Sequence, residues 1–150
     1  MKLKAMFNNF DKILLKLAKK AVKNGEIPIA CIAVLDGKII AKAHNLVEKR
    51  KNKMAHAEII VLEKLRKKFN TTHFFGMKIS FYITLEPCCM CVSAISMCGI
   101  ENVFYMLEDK KIGGIERIYT QNSSYFKPNF FVIASEEYSN LLLDFFKSLR

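Results

Sequence analysis

The stretch Lys78-Ile79-Ser80-Phe81-Tyr82-Ile83-Thr84-Leu85-Glu86-Pro87-Cys88-Cys89-Met90-Cys91-Val92-Ser93-Ala94-Ile95-Ser96-Met97-Cys98-Gly99 reads as a strand followed by a helix. Lys78 to Thr84 is short, aromatic and β-branched, which suits a half-buried strand. Pro87 fits the first position of a helix, because its missing N–H has no intrahelical partner there. The helix should run to Cys98, where Gly99 can close it. Asn102 to Met106 reads as the next strand. A strand–helix–strand unit implies a parallel pair and a sheet whose face is covered by the helix.

Working outward gives the rest of the architecture. Upstream, a helix from Ala55 to Lys68 places Ile59, Ile60, Leu62 and Leu65 for the core. Before it, Ile29–Leu35 and Lys38–His44 read as strands joined by Asp36-Gly37, a strong two-residue hairpin signal. A basic loop, Glu48 to Lys53, separates hairpin and helix. The first helix spans Phe7 to Lys23, with Phe10, Ile13, Leu14, Leu17, Ala18 and Ala21 at helical spacing and lysines on the other face. Downstream, the region around Gly113-Gly114 reads as a loop and Asn129 to Ala134 as a fifth strand. Ser135 is a candidate N-cap for a final helix to Leu149, with Glu136 and Glu137 in its first turn. The expected fold is a three-layer α/β/α sandwich with a five-stranded mixed sheet, formed by residues 1–150 as one domain.

Composition narrows the function classes. At 150 residues and 51% hydrophobic content the chain can bury a core and is not of disordered composition. No apolar run approaches the roughly 20 residues of a membrane span, and the basic start Met1-Lys2-Leu3-Lys4 is not followed by an apolar signal core. No membrane association and a cytoplasmic location are expected. Five cysteines, three of them within Cys88–Cys91, favour metal binding or catalysis over disulfides in such a compartment. The formal net charge of +10 suits polyanionic partners, although a lysine- and asparagine-rich composition alone produces the same excess.

Two segments carry chemistry. His56-Ala57-Glu58 begins one helix, and Pro87-Cys88-Cys89-Met90-Cys91 begins another. Cysteines three apart share a helical face, and a helix N-terminus favours the thiolate that zinc requires. One imidazole added to two thiolates gives three ligands and an open position, the pattern of catalytic rather than structural zinc. Positions i and i+2 do not face each other inside a helix, so His56 and Glu58 can share a centre only if the helix meets the metal end-on. A carboxylate so placed can move protons for an activated water. Cys89 projects elsewhere, and His44 and His73 lack ligand spacing.

These motifs in this order match the H-x-E…P-C-x-x-C signature of zinc deaminases. The chain resembles the bacterial tRNA-specific adenosine deaminase branch of the cytidine deaminase-like superfamily. The likeness extends to Glu26-Ile27-Pro28-Ile29, Asn45, Thr84-Leu85-Glu86-Pro87, the segment from Asp109 to Gly114, and Leu143-Asp144-Phe145-Phe146. The resemblance implies Zn2+ held by His56, Cys88 and Cys91, with Glu58 as proton shuttle. It implies deamination of the wobble adenosine in a tRNA anticodon loop by a homodimer. It also implies substrate contacts from Asn45, Ile27, Pro87 and the Asp109 loop, and from Phe145 and Phe146 beside the flanking nucleotides. The chain departs from the family pattern at Asn52-Lys53-Met54, Ala30-Cys31 and Met106-Leu107-Glu108, all around the substrate surfaces. Deamination of a free base such as cytosine or guanine, and a non-catalytic zinc-stabilised RNA-binding subunit, are the alternative readings.

Overall fold

The computed structural model describes residues 2–121 and 126–150, with side chains from residue 9 onward except at position 121. Its strands are β1 (Ala30–Leu35), β2 (Lys38–His44), β3 (Ser80–Ile83), β4 (Asn102–Tyr105) and β5 (Asn129–Val132). Its helices are α1 (Lys2–Lys23), α2 (Val47–Arg50), α3 (Ala57–Phe69), α4 (Cys89–Cys98), α5 (Ile115–Gln121) and α6 (Glu136–Ser148). The strands form one sheet in the order β2-β1-β3-β4-β5. β1 is antiparallel to both β2 and β3, whereas β3, β4 and β5 are parallel. This is the expected five-stranded mixed sheet.

The hairpin forms for a local reason. Asp36 and Gly37 both take positive φ, 50° and 75°, the conformation that a twist-matched two-residue turn demands. Strand alternation then divides the core into two faces. Cys31, Ala33, Phe81, Ile83, Val103 and Tyr105 face the α3 and α4 side, where they meet Ile60, Val61, Leu65 and Ile95. Ala30, Ile32, Val34 and Tyr82 face α1 and α6, meeting Phe10, Leu14, Ala18 and Tyr138. On that second face an aromatic column crosses the sheet. Phe10 and Tyr82 lie 4.9 Å apart, Tyr82 and Phe104 stack at 4.6 Å, and Phe104 and Phe131 stack at 4.9 Å.

The structure departs from the sequence expectations at several boundaries. α1 begins at Lys2 rather than Phe7, and α3 begins at Ala57 rather than Ala55. β3 and β5 are shorter than their apolar runs: Ile79 and Thr84 are buried beyond the paired ladder of β3, and β5 pairs only from Asn129 to Val132. Pro87 does not open α4. Cys88 is its N-cap with an extended backbone, φ −70° and ψ 172°, so the helix starts at Cys89. Two helices were not expected: α2 inside the basic loop, and α5 after Gly113-Gly114.

α2 depends on a distant residue. Its N-cap, Leu46, offers no side-chain acceptor. The buried Glu26 carboxylate instead accepts from the N–H groups of Glu48 (3.2 Å) and Lys49 (2.8 Å). These are the amides that an N-cap side chain normally satisfies. α6 follows the expected pattern, with the Ser135 hydroxyl accepting from Tyr138 N–H. Replacing Glu26 with Ala strips both amides of their acceptor. The expected loss is about 1–3 kcal/mol, read by thermal or urea unfolding, with Glu26→Gln losing less because it keeps one acceptor oxygen.

Candidate metal centre

The sheet register assembles one end of the molecule. Ala30 pairs with His44, Cys31 with Ile83, and Ile83 with Tyr105. From this end the chain leaves β2 toward α3 and β3 toward α4, so both helices start near one another. Two side chains fasten the floor. Thr84 Oγ1 accepts from Ala30 N–H at 3.0 Å, and Asn45 Oδ1 accepts from Ala57 N–H, the first amide of α3, at 2.9 Å.

His56 and Cys88 are the N-caps of α3 and α4, and neither side chain caps its own helix. Both have extended backbones, which swing the side chains across the helix ends. His56 Nδ1 lies 3.7 Å from Cys88 Sγ and 3.6 Å from Cys91 Sγ. All three ligand atoms fall within 4.8 Å of one another. Zinc bonds of about 2.1 Å to nitrogen and 2.3 Å to sulfur, at a tetrahedral angle, set those atoms about 3.6 Å apart. The donor set and its spacing therefore fit zinc. Cys88 and Cys91 do not share a helical face as the spacing suggested; Cys88 stands before the helix and Cys91 is its third residue. Cys89, His44 and His73 are outside the cluster.

Glu58 is the second residue of α3 and is 3% exposed. Its Oε2 is buried with no hydrogen-bond partner. A buried acceptor left unpaired costs about 1–3 kcal/mol, so this oxygen is held for a donor that the protein itself does not supply. Burial raises the Glu58 carboxyl above its usual range, against the pull of its own N–H and of His56. Cys88 is drawn down to about 4, foremost by a hydrogen bond from Cys91 and, against burial, by His56. Cys91 moves the opposite way, because its proton serves Cys88 and because it is buried beside Glu58. His56 is raised, mainly by its hydrogen bond with Cys88. Two helix N-termini favour negative charge at this point, and a dication lets both thiols ionise together.

The loop after β4 is built against these ligands. Glu86 accepts from Asp109 N–H (2.9 Å) and Ile115 N–H (3.4 Å), and Asp109 Oδ1 accepts from Lys111 and Ile112. Gly114 N–H donates to the Pro87 carbonyl at 2.9 Å, and Gly113 bridges to Cys88. A Cβ on Gly114 would sit 2.5 Å from the Cys88 carbonyl carbon. α5 is tied back through a hydrogen bond between Tyr119 OH and Ser96 Oγ of α4.

Of the remaining residues singled out in the sequence, Ile27, Asp109 and Phe146 line one cleft of about 610 Å³, together with Leu85, Leu107 and Leu142. Phe145 does not line it; its ring packs edge-on against Phe146 at 5.4 Å. Asn45 is buried and caps α3 from a distance, and Pro87 is buried with its carbonyl taken by Gly114. Sequence reasoning missed the anchoring roles of Glu26, Thr84 and Glu86. The last two stand inside the quoted motif, but nothing local reveals their partners.

Sheet, helix pair and ligand set together define a zinc-dependent deaminase fold of the cytidine deaminase type. The model of the cytidine and deoxycytidylate deaminase zinc-binding region matches residues 7–107, and the chain belongs to that family. Among its relatives, the tRNA-specific adenosine deaminase of Aquifex aeolicus is 38% identical over 144 residues, 94% of either chain. That of Bacillus subtilis is 40% identical over 104 residues, 69% of this chain and 63% of the relative. A structure solved in a study of A-to-I editing by tRNA:A34 deaminases at the wobble position of transfer RNA superposes with a TM-score of 0.82. It is 31% identical and covers 90% of this chain and 99% of that one. The guanine deaminase of Bacillus subtilis is 26% identical with a TM-score of 0.65, covering 91% of each chain.

Cys88→Ser and Cys91→Ser should lose zinc by elemental analysis, while Cys89→Ser keeps it. Gly114→Ala, which presses on the Cys88–Cys89 peptide, should weaken zinc affinity by about 10- to 100-fold, measured by chelator competition.

Proposed function

We propose that this chain hydrolytically deaminates the wobble adenosine of a tRNA anticodon to inosine, releasing ammonia. The observation that carries the catalytic part is the unpartnered Oε2 of Glu58, buried beside the ligand cluster. The substrate is supported by the tRNA-specific relatives, whose similarity runs through almost the whole chain.

The residues take their roles from where they stand. Zinc, held by His56, Cys88 and Cys91, would supply the Lewis acidity that makes water a nucleophile near neutral pH. Glu58 accepts a proton from the attacking water and delivers it to the purine ring nitrogen next to the amino-bearing carbon. The water oxygen bonds to that carbon. A second proton, passed by Glu58 from the new hydroxyl to the amino nitrogen, lets the carbonyl form as the carbon–nitrogen bond breaks and ammonia leaves. The raised affinity of Glu58 for protons suits a group that both takes and gives them.

Asn45 is a candidate substrate contact. The Ala57 N–H fixes its oxygen, so its amide NH2 points the other way, available to an acceptor on ribose or base. Ile27 and Phe146 line the cleft for the base and its flanking nucleotides, with Asp109 shaping the adjoining loop. Pro87 contributes by holding the loop at Gly114, and Phe145 by backing Phe146. Extruding a base costs a few kcal/mol, least from a loop that is already single-stranded.

A homodimer in the cytoplasm belongs to the same reading. Met54 before His56, Met97 on α4 and Phe75 against the end of α4 are 61%, 65% and 48% exposed, apolar surface that a second copy would cover. No helix among the described residues is long and apolar enough to cross a membrane. The similarity to guanine deaminase supports free-base deamination as a second reading. An intact Glu58 argues against a non-catalytic RNA-binding subunit, which has no chemical need for it.

Glu58→Gln should keep its zinc and lose about 10²- to 10⁴-fold in turnover, followed as inosine formed in an anticodon hairpin. Ammonia release from free guanine or cytosine, with none from the hairpin, would overturn the tRNA assignment.

A further inference from the structure

Away from the catalytic centre, the outer side of α1 forms a groove of about 780 Å³ bounded by Lys12, Lys16, Lys19, Lys20 and Lys23, with Lys42 from β2. All six side chains are exposed. Only Lys19 has an acidic partner among the described residues, Glu137 at 3.0 Å. Ile13 and Leu17 lie between the lysines, so the stems rest on apolar surface and the ammonium groups stand at the rim. Lysines four apart repel one another and weaken the helix that carries them. A polyanionic partner would relieve that repulsion.

We propose that this groove is a track for the sugar-phosphate backbone of the RNA, outside the nucleotides that enter the catalytic centre. The inference rests on the tRNA reading above. Lys12 to Lys23 spans about 16 Å of helix, enough to face several successive phosphates of one strand. The groove offers lysine point charges set along one helix, which can follow the regularly spaced monoanions of a phosphate backbone.

The positive strip continues toward the catalytic centre. Lys64 of α3 donates to the Lys42 carbonyl at 2.7 Å. Its ammonium lies below its ordinary range, first through burial and then through the charges of Arg50 and Lys42. Arg50 belongs to α2, which Glu26 fastens three residues beyond the end of α1. RNA in the groove would therefore meet the basic loop that leads into His56.

The test uses zinc-loaded protein with residues 12, 16 and 20 changed together to glutamine, which supports a helix almost as well as lysine, and a second variant with arginine at all three. Binding and KM are measured on whole tRNA across a salt series. For the glutamine variant the slope of log affinity against log salt should shrink by about 2 to 3, with KM raised about tenfold or more at low salt. The arginine variant should restore both. Slope and KM equal to wild type in the glutamine variant overturn the groove alone. Wild-type protein that forms no inosine in tRNA or in the anticodon hairpin overturns the tRNA reading, and the groove proposal with it.

Discussion

The chemistry of this molecule hangs on two helix N-termini aimed at the same point. β1 runs antiparallel between β2 and β3, so β2 and β3 both deliver their chains to one end of the sheet. α3 and α4 start there, and each gives its capping residue to the metal rather than to its own backbone. Side chains at helix caps can reach past the helix axis, which residues inside a turn cannot do. This is how His56 and Glu58, two positions apart, both come beside the two thiols. The positive ends of both helices favour the thiolates and the carboxylate gathered between them.

Several helix and loop amides around the ligands have no capping side chain of their own, and side chains distant in sequence supply their partners. Asn45 takes the first amide of α3, Glu26 takes two amides of α2, and Glu86 holds the loop at Asp109 and Ile115. Each is a polar group placed where only a particular fold makes it useful. Together they stiffen the three segments that surround the ligands: the basic loop, the start of α3 and the loop after β4. The apolar core lies behind this end of the sheet and carries the stability.

What could be read from the sequence was what depends on near neighbours. The Asp36-Gly37 hairpin, the strand–helix–strand unit, the Ser135 cap and the ligands His56, Cys88 and Cys91 are local patterns, and the structure contains them. α2 was invisible because its cap lies in Glu26, far back in the chain. α5 was missed because its seven residues are held by Glu86 and Ser96 rather than by a strong pattern of their own. The start of α4 was misplaced because Pro87 suits a first helical position, whereas Cys88 needs an extended backbone to turn its thiol toward His56. Phe145 and Phe146 look equivalent in sequence, but the turn of α6 sends only Phe146 into the cleft.

Gly113 and Gly114 give the loop after β4 a buried foot beneath an exposed crown. The foot touches the peptide between Cys88 and Cys89, whereas Lys110, Lys111 and Ile112 at the crown stand in solvent. A side chain changed at the crown meets solvent first; one added at the foot presses on the backbone that carries Cys88. The loop thus keeps a boundary within six residues between positions that face solvent and positions that the ligand-bearing backbone confines. Variation is open on one side of that boundary and closed on the other.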